Sequence, residues 1–502
     1  MADRHTEELR TFAHLAGLLA EEFPAELLDR RLRIAVADDA LDSEAGQVLV
    51  LTIARLASRF CHRIDFAAPE RPCLPRLQPL LAAETFNGEN LAALARLVWP
   101  DGQFSNSTLE TVDVVVGVGG ATGDIAVGID AEGEAVVVVD GAVKIEHGDA
   151  IFGSLAAAAV ACAQIAKRLY PEIAMGEVEP VVGFGAGPFG GLLDPAAPIV
   201  LRRPVIAGVG AVGCALLYAL IVANASGSIF LLDPDLVKDS NLMRYVLFDS
   251  RHRGKTKIAA AEEIISASGL DLQVESAQTV IQSFLKRHPH ERDRLELVVS
   301  AVDTYEARRE IAGELPREIL NAGTNPRDFT VSRHGFGDGF ACLACLYPAR
   351  KHDIELDAVM ARELGLDKTE VAELRRTKTG LTAHQLERVA QSRDVNAATY
   401  AAYVGEPLDS FYNKEFCAKV PVQTARGEAV APLAFGSALA GFLLAHALGF
   451  GTESEVRQFR MNFLSGLNTP LRRAAKARAE CPYCGRAAYR VVYSSRWGEN
   501  AA

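Results

Sequence analysis

Two Cys-x-x-Cys pairs, Cys342/Cys345 and Cys481/Cys484, place the heaviest constraint on how this chain folds. The first lies in Ala341-Cys342-Leu343-Ala344-Cys345-Leu346-Tyr347-Pro348, the second in Glu480-Cys481-Pro482-Tyr483-Cys484-Gly485. Four thiolates at this spacing suit one tetrahedral zinc ion with no open coordination position, and a closed site is structural rather than catalytic. Such a clip ties the tail of the chain back onto its middle. Buried reduced thiols or a redox dithiol would account for one pair; two pairs, one with Pro-Tyr inside and Gly after, favour the metal. The cysteines number nine, which is odd, and Met1-Ala2-Asp3-Arg4-His5 is not a basic segment leading into an apolar run. A reducing, cytoplasmic setting without a disulfide framework is therefore expected.

The length of 502 residues allows two or three domains, and a charged fraction of 23% beside 49% hydrophobic residues marks a globular chain. A net charge of −12 argues against general nucleic-acid binding. The apolar stretch Pro432 to Gly451 approaches the length of a membrane span. It contains His446 and many small residues, so a close-packed core helix is the expectation, and no membrane partner.

Hydrophobic periodicity divides the chain. Residues 1–30 read as an amphipathic helix pair. Strands are expected at Arg31 to Asp38, His62 to Ala67, Val112 to Gly117 and Val136 to Asp140, and helices at Glu44 to Phe60 and Leu155 to Leu169. This half, 1–180, has no Gly-x-Gly-x-x-Gly after its first strand. Asp38, Asp39 and Glu44 stand where a phosphate would need backbone amides. It is expected to be a nucleotide fold that binds no nucleotide. Residues 181–203 are rich in Gly and Pro and read as a linker. A second α/β block fills 204–350, residues 351–430 form a charged helical insertion without a strand, and 431–502 return to the second block. The fold class is α/β: two Rossmann-like halves, one degenerate, with a helical insertion and a zinc knuckle. The two halves suggest an internal duplication.

In the second block the strand Val205-Ile206-Ala207 runs into Gly208-x-Gly210-x-x-Gly213 and a helix. These glycines permit a tight turn and the approach of a phosphate chain to the helix N-terminus. Alone the pattern also fits a dinucleotide, and Asp233 fits a ribose hydroxyl in either case. The residues beyond it are unlike those of a dehydrogenase: Asp233-Pro234-Asp235, then Asn241 and Arg244, Lys257 in Gly254-Lys255-Thr256-Lys257, and Asp303 closing Val299-Ser300-Ala301-Val302.

This ordered set resembles the ThiF/MoeB/ubiquitin-activating superfamily of adenylyltransferases, across 200–350 closely and 415–485 more loosely. The resemblance implies that Gly208, Gly210 and Gly213 cradle ATP, that Asp233 holds the ribose with Asp235 beside it, that Asn241, Arg244 and Lys257 contact phosphates, and that Asp303 sits near Mg2+ and the reacting carboxylate. Asn321-Ala322-Gly323-Thr324 and the first cysteine knuckle match later parts of the pattern. Tyr245, where a polar residue is usual, and Thr304, where Asn is common, depart from it. Fixed cations, magnesium and helix-terminus amides suit the charge that builds on phosphate oxygens when a carboxylate displaces pyrophosphate.

Ubiquitin-activating members also use a cysteine thiolate. Cys417, in Phe416-Cys417-Ala418-Lys419-Val420-Pro421 shortly before the small-residue helix, resembles that nucleophile in the autophagy-type enzymes, and Lys414, Lys419 and Arg426 would favour its thiolate. An ordinary half-buried cysteine is the other reading. The degenerate half would complete the ATP site, through an N-terminal arginine such as Arg4 or Arg10. The function the resemblance implies is activation of the C-terminal glycine of a ubiquitin-like protein for transfer to a conjugating enzyme. Stand-alone bacterial enzymes of this kind include several that act against phage. A sulfur-carrier adenylyltransferase, a peptide-modifying enzyme and a non-catalytic scaffold are the alternatives.

Overall fold

The computed structural model describes residues 11–12, 29–117, 123–171, 177–195, 197–325, 327–348, 357, 360–377, 379–393, 395–412, 433–451, 455–464, 467 and 470–498. Most of the expected N-terminal helix pair, Arg4, Arg10 and the whole Cys417 segment lie outside these residues. The chain forms two compact units, one of residues 1–347 with 429–502, the other of residues 348–428.

The larger unit holds two sheets. The first comprises β1 (Arg31–Val36), β2 (Arg63–Ala67), β3 (Gln103–Asn106), β4 (Val112–Val116), β5 (Gly123–Ile129), β6 (Ala135–Val139) and β7 (Val181–Phe184). The second comprises β8 (Val200–Ala207), β9 (Ser226–Leu232), β10 (Leu272–Ala277), β11 (Leu297–Ser300), β12 (Glu318–Thr324), β13 (Asp328–His334), β14 (Gln458–Asn462) and β15 (Leu471–Arg473). The first is ordered β3-β2-β1-β4-β5-β6-β7 and the second β10-β9-β8-β11-β12-β13-β14-β15. Numbered within its own sheet, each reads 3-2-1-4-5-6-7, the second adding an eighth strand. In both, the first five strands are parallel and the rest antiparallel. The internal duplication is thus carried by topology.

The stretch 181–203, expected as a linker, instead contributes β7 and the first four residues of β8. Its glycines masked the strand signal. β8 runs from Val200 through Pro204, with a register shift between Arg202 and Val205 where Arg203 adopts φ +55°. Pro204 has no N–H to give the ladder, so the irregularity absorbs it.

Four helices form the centre of the core: α1 (Glu44–Ala57), α2 (Ile151–Leu169), α3 (Ala211–Val222) and α4 (Ala434–Phe450). α2 packs on α1 as α4 packs on α3, and α4 also packs on α2. Small residues make these approaches possible. A Cβ at Gly441 of α4 would lie 2.5 Å from the Val212 carbonyl oxygen. α4 is the apolar stretch read as a core helix, and residues 434–448 are all buried. α2 is long and apolar enough to cross a membrane, but 94% of its most apolar window is buried within the protein.

The smaller unit is helical, with helices Lys368–Thr377 and Ala383–Ser392 and a 3-10 segment Ala397–Tyr403. Its own core gathers Leu364, Val371, Leu386, Val389, Tyr400 and Phe411. Two of its arginines are paired locally, Arg375 with Asp357 and Arg376 with Glu373.

Candidate nucleotide site and cysteine cluster

The candidate residues collect at the carboxyl ends of three adjacent strands, β9, β8 and β11. Chain direction across the sheet reverses there, which is where open α/β sheets leave a crevice for ligands. Ala301 N–H donates to Ala207 O at 2.9 Å, so the loops after β8 and β11 leave the sheet side by side. The three loop glycines differ in role. Gly208 has φ +99°, and its Cβ would lie 2.7 Å from Ala301 O; a Cβ on Gly213 would lie 2.1 Å from Gly208 O. Both are required by packing. Gly210 is open, its nearest neighbour Tyr245 Oη at 3.8 Å from the Cβ position. It is also the N-cap of α3 and supplies no side-chain cap. The amides opening α3 therefore lack the side-chain acceptor that a Ser or Asp cap would supply.

The first half differs at the matching places. Its equivalent helix, α1, is capped by Ser43, whose Oγ accepts from Gly46 N at 3.1 Å. Asp42 and Glu44 are neutralised by Arg71 and Arg76. Where β9 ends in Leu232-Asp233-Pro234-Asp235, β2 ends in Ala67-Ala68-Pro69-Glu70. An alanine thus replaces the carboxylate that would hold a ribose.

Asp233 is buried and rigidly held. Its Oδ2 accepts from Val209 N at 2.7 Å and its Oδ1 from Asp235 N at 2.8 Å. Lys257 Nζ lies 3.4 Å from Asp233 and 2.9 Å from Asp235. Burial raises the Asp233 pKa against the opposing pull of Lys257. For Lys257, burial works downward, but Tyr245, Asp233 and Asp235 together hold its pKa above the ordinary lysine value. It is a fixed cation, and the pair is an ion pair. Tyr245, a departure from the family pattern by sequence, lies at the centre: its ring centroid is 5.6 Å from Lys257 Nζ and 5.9 Å from Arg244 Cζ. Arg244 Nη1 is buried without a hydrogen-bond partner. A buried guanidinium N–H left unpaired is costly, and an anion relieves that cost. Asn241 accepts from Lys238 N at 3.0 Å through Oδ1 and closes the preceding turn.

Asp303 is exposed, and its loop is held from behind by Arg308, which sequence reading left without a role. Arg308 donates to the Asp303 and Thr304 carbonyls at 3.2 and 3.4 Å and to Asn321 Oδ1 at 3.1 Å. Asn321 continues to Ser332 Oγ at 3.1 Å, and Ser332 to His334 Nε2 at 2.9 Å. His334 Nδ1 meets Ala341 O at 2.7 Å, next to Cys342. Burial pushes the His334 pKa down to about 4, so it is a neutral member of this chain.

The four cysteine sulfurs cluster within 4.8 Å of one another. Neighbouring pairs are 3.8, 3.7 and 3.4 Å apart. Zn–S bonds of about 2.3 Å in a tetrahedron require sulfurs about 3.8 Å apart, so the cluster fits zinc. Arg478 N–H points to Cys345 Sγ at 3.5 Å, a donor suited to a thiolate.

A doubly wound α/β fold with an uncapped glycine loop, an anion-ready arginine and a four-cysteine cluster defines a class of nucleotide-binding protein. Residues 199–483 match the ThiF family, and the chain belongs to it. Uncharacterized protein y4jF of Sinorhizobium fredii (strain NBRC 101917 / NGR234) is 34% identical over 286 residues, which are 55% of this chain and 54% of that protein. Human ubiquitin-like modifier-activating enzyme 7 is 32% identical over 136 residues, 25% of this chain and 13% of that protein. The chain thus spans about half of the first relative's length and far less of the second's. Among solved structures, E. coli MccB with ATP is similar at 13% identity over 57% of this chain and 67% of that one, with a TM-score of 0.34.

Proposed function

We propose that this chain uses ATP and Mg2+ to adenylate the C-terminal glycine of a ubiquitin-like protein, then passes the acyl group through Cys417 to a conjugating enzyme. Membership of the ThiF family and the partial likeness to a human ubiquitin-like modifier-activating enzyme support the reading. The observation that carries it is the unpartnered, buried Nη1 of Arg244, next in the chain to Tyr245, whose hydroxyl faces a glycine loop with an open middle residue that would leave room for phosphate.

The roles follow from chemistry. The α3 amides and Arg244 would hold phosphate oxygens, Asn241 would flank them, and Asp233 would take the ribose hydroxyls. Lys257, locked to Asp233 and Asp235, would add a fixed positive charge beside them. Asp303 would sit beside the metal, whose charge helps the leaving group depart. The glycine carboxylate oxygen attacks the α-phosphorus, and the bond to the bridging oxygen breaks as pyrophosphate leaves. A thiolate then attacks the acyl carbon and AMP leaves. The thiolate must be accessible. Among the described residues, Cys61, Cys73, Cys162 and Cys214 are buried, and burial raises the Cys73 pKa to about 12 and those of Cys162 and Cys214 well above the thiol norm. The inertness of these four supports Cys417, the cysteine that the family resemblance points to. The four-cysteine cluster would hold zinc and take no part in the reaction.

The test is pyrophosphate exchange into ATP in the presence of candidate proteins ending in glycine. Exchange that depends on such a protein, and that Asp303→Ala abolishes, is expected. Purified protein that binds NAD and not ATP would overturn the reading. Exchange with no thiol-sensitive adduct would favour a sulfur-carrier substrate.

A further inference from the structure

Arg55 and Arg59 belong to the degenerate half, one in the last turn of α1 and one just beyond it; each keeps Nη1 on a carbonyl of its own half, Leu80 O and Arg55 O, while its Nη2 reaches the active half. Arg55 donates from Nε to Val246 O at 2.7 Å and from Nη2 to Leu247 O at 2.8 Å. Arg59 Nη2 donates to Tyr245 O at 2.6 Å and Phe248 O at 2.7 Å. Four successive carbonyls, 245 to 248, are held by two side chains that are 0% and 1% exposed. The segment they hold begins immediately after Arg244 and includes Tyr245, the ring beside Lys257 and Gly210.

Packing a loop does not require this arrangement. Withdrawing two cations from water is costly unless geometry and partners are excellent, and here the partners are mostly neutral carbonyls. One buried carboxylate, Asp249, lies 3.7 Å from Arg55 and is itself bound by Arg251 at 2.7 Å. What the planar forks supply is direction: each guanidinium fixes the orientation of the peptide groups it binds. The degenerate half has no nucleotide loop of its own, a capped α1 and no ribose carboxylate.

We propose that Arg55 and Arg59 are positioning residues for the nucleotide site, through which the degenerate half clamps the 245–248 backbone and so holds Arg244 and Tyr245 in place for ATP. The proposal rests on the adenylation reading of that site.

The experiment uses the full chain with Arg59→Lys, which keeps the charge and loses the fork. A second variant, Arg55→Lys, loosens the Val246 and Leu247 carbonyls instead and guards against a misfolded first one. Hydrogen exchange is followed in peptides covering 242–250, and pyrophosphate exchange is measured against ATP and against the acceptor protein. In folded variants, exchange at 242–250 should accelerate while α1 and α3 stay protected. KM for ATP should rise roughly tenfold or more, as misplacement of a binding group predicts, with KM for the acceptor unchanged. Unchanged exchange at 242–250, or activity that falls only with the folded fraction at constant KM, would overturn the clamp. Wild-type protein that binds no ATP would overturn the adenylation reading instead, and the clamp would then stand or fall on amide exchange alone.

Discussion

Single atoms separate structure from function in the glycine loop. A methyl group at Gly213 collides with the Gly208 carbonyl, whereas at Gly210 it meets nothing closer than 3.8 Å. Gly213→Ala should therefore lower the melting temperature, since overpacking a close helix–strand contact costs about 1–3 kcal/mol. Gly210→Ala should melt like the wild type and lose ATP affinity in a titration. Equal behaviour of the two variants would contradict the division of roles. The glycine pattern is legible in the sequence; which glycines packing requires and which one is left open is not, because that depends on what faces each one. Asp249 gives a second residue-level test. Burial works against its ionised form, but Arg251, His252 and Arg55 more than reverse this and hold its pKa well below the carboxylate norm. Its contribution is thus present above the unfolded value, about 4, and fades as pH falls through the folded one. Asp249→Asn should cost about 3 kcal/mol at neutral pH, and the gap in denaturant titrations should narrow below pH 4. A gap constant across that range would refute the ion-pair account.

At the level of elements, the cysteine pairs join a short turn after β13 to the segment before the C-terminal helix Ala487–Trp497. The helix docks through Tyr493 Oη on Arg317 O at 2.7 Å and Trp497 Nε1 on Leu315 O at 2.9 Å. Metal analysis of reduced protein should find one zinc per chain. Chelation or Cys481→Ser should expose the 471–498 segment to proteolysis before the rest of the chain unfolds. Protein free of zinc yet equally resistant would sink the clip. Strands with clean β-branched runs, such as β4 and β6, were legible. β7 was hidden among glycines, and β3 and β5 went unread because Gln103–Asn106 is polar and Gly123–Ile129 contains two glycines. Such strands form because neighbours supply the ladder and the burial, which a local pattern does not record.

At the scale of the whole molecule, the proposed reaction would couple the candidate nucleotide site to a thiol outside the described residues. With ATP, Mg2+ and the ubiquitin-like partner, a thiol-sensitive adduct should form. Cys417→Ala should abolish it and leave pyrophosphate exchange intact, while Lys257→Ala should lose both. An adduct that survives Cys417→Ala would move the nucleophile elsewhere. The sequence alone determined the two α/β halves, the missing glycine fingerprint of the first, the two cysteine pairs and the order of the candidate nucleotide residues, because spacing along the chain encodes local turns, periodicity and ligand type. Tertiary structure alone decided that Tyr245 is central, that Arg308 holds the Asp303 loop, and that Arg55 and Arg59 reach across to carbonyls more than 180 residues away. In the sequence those two arginines are only charges interrupting an apolar helix. Burial and long-range hydrogen bonds give them partners, and those partners are set by how the two sheets pack.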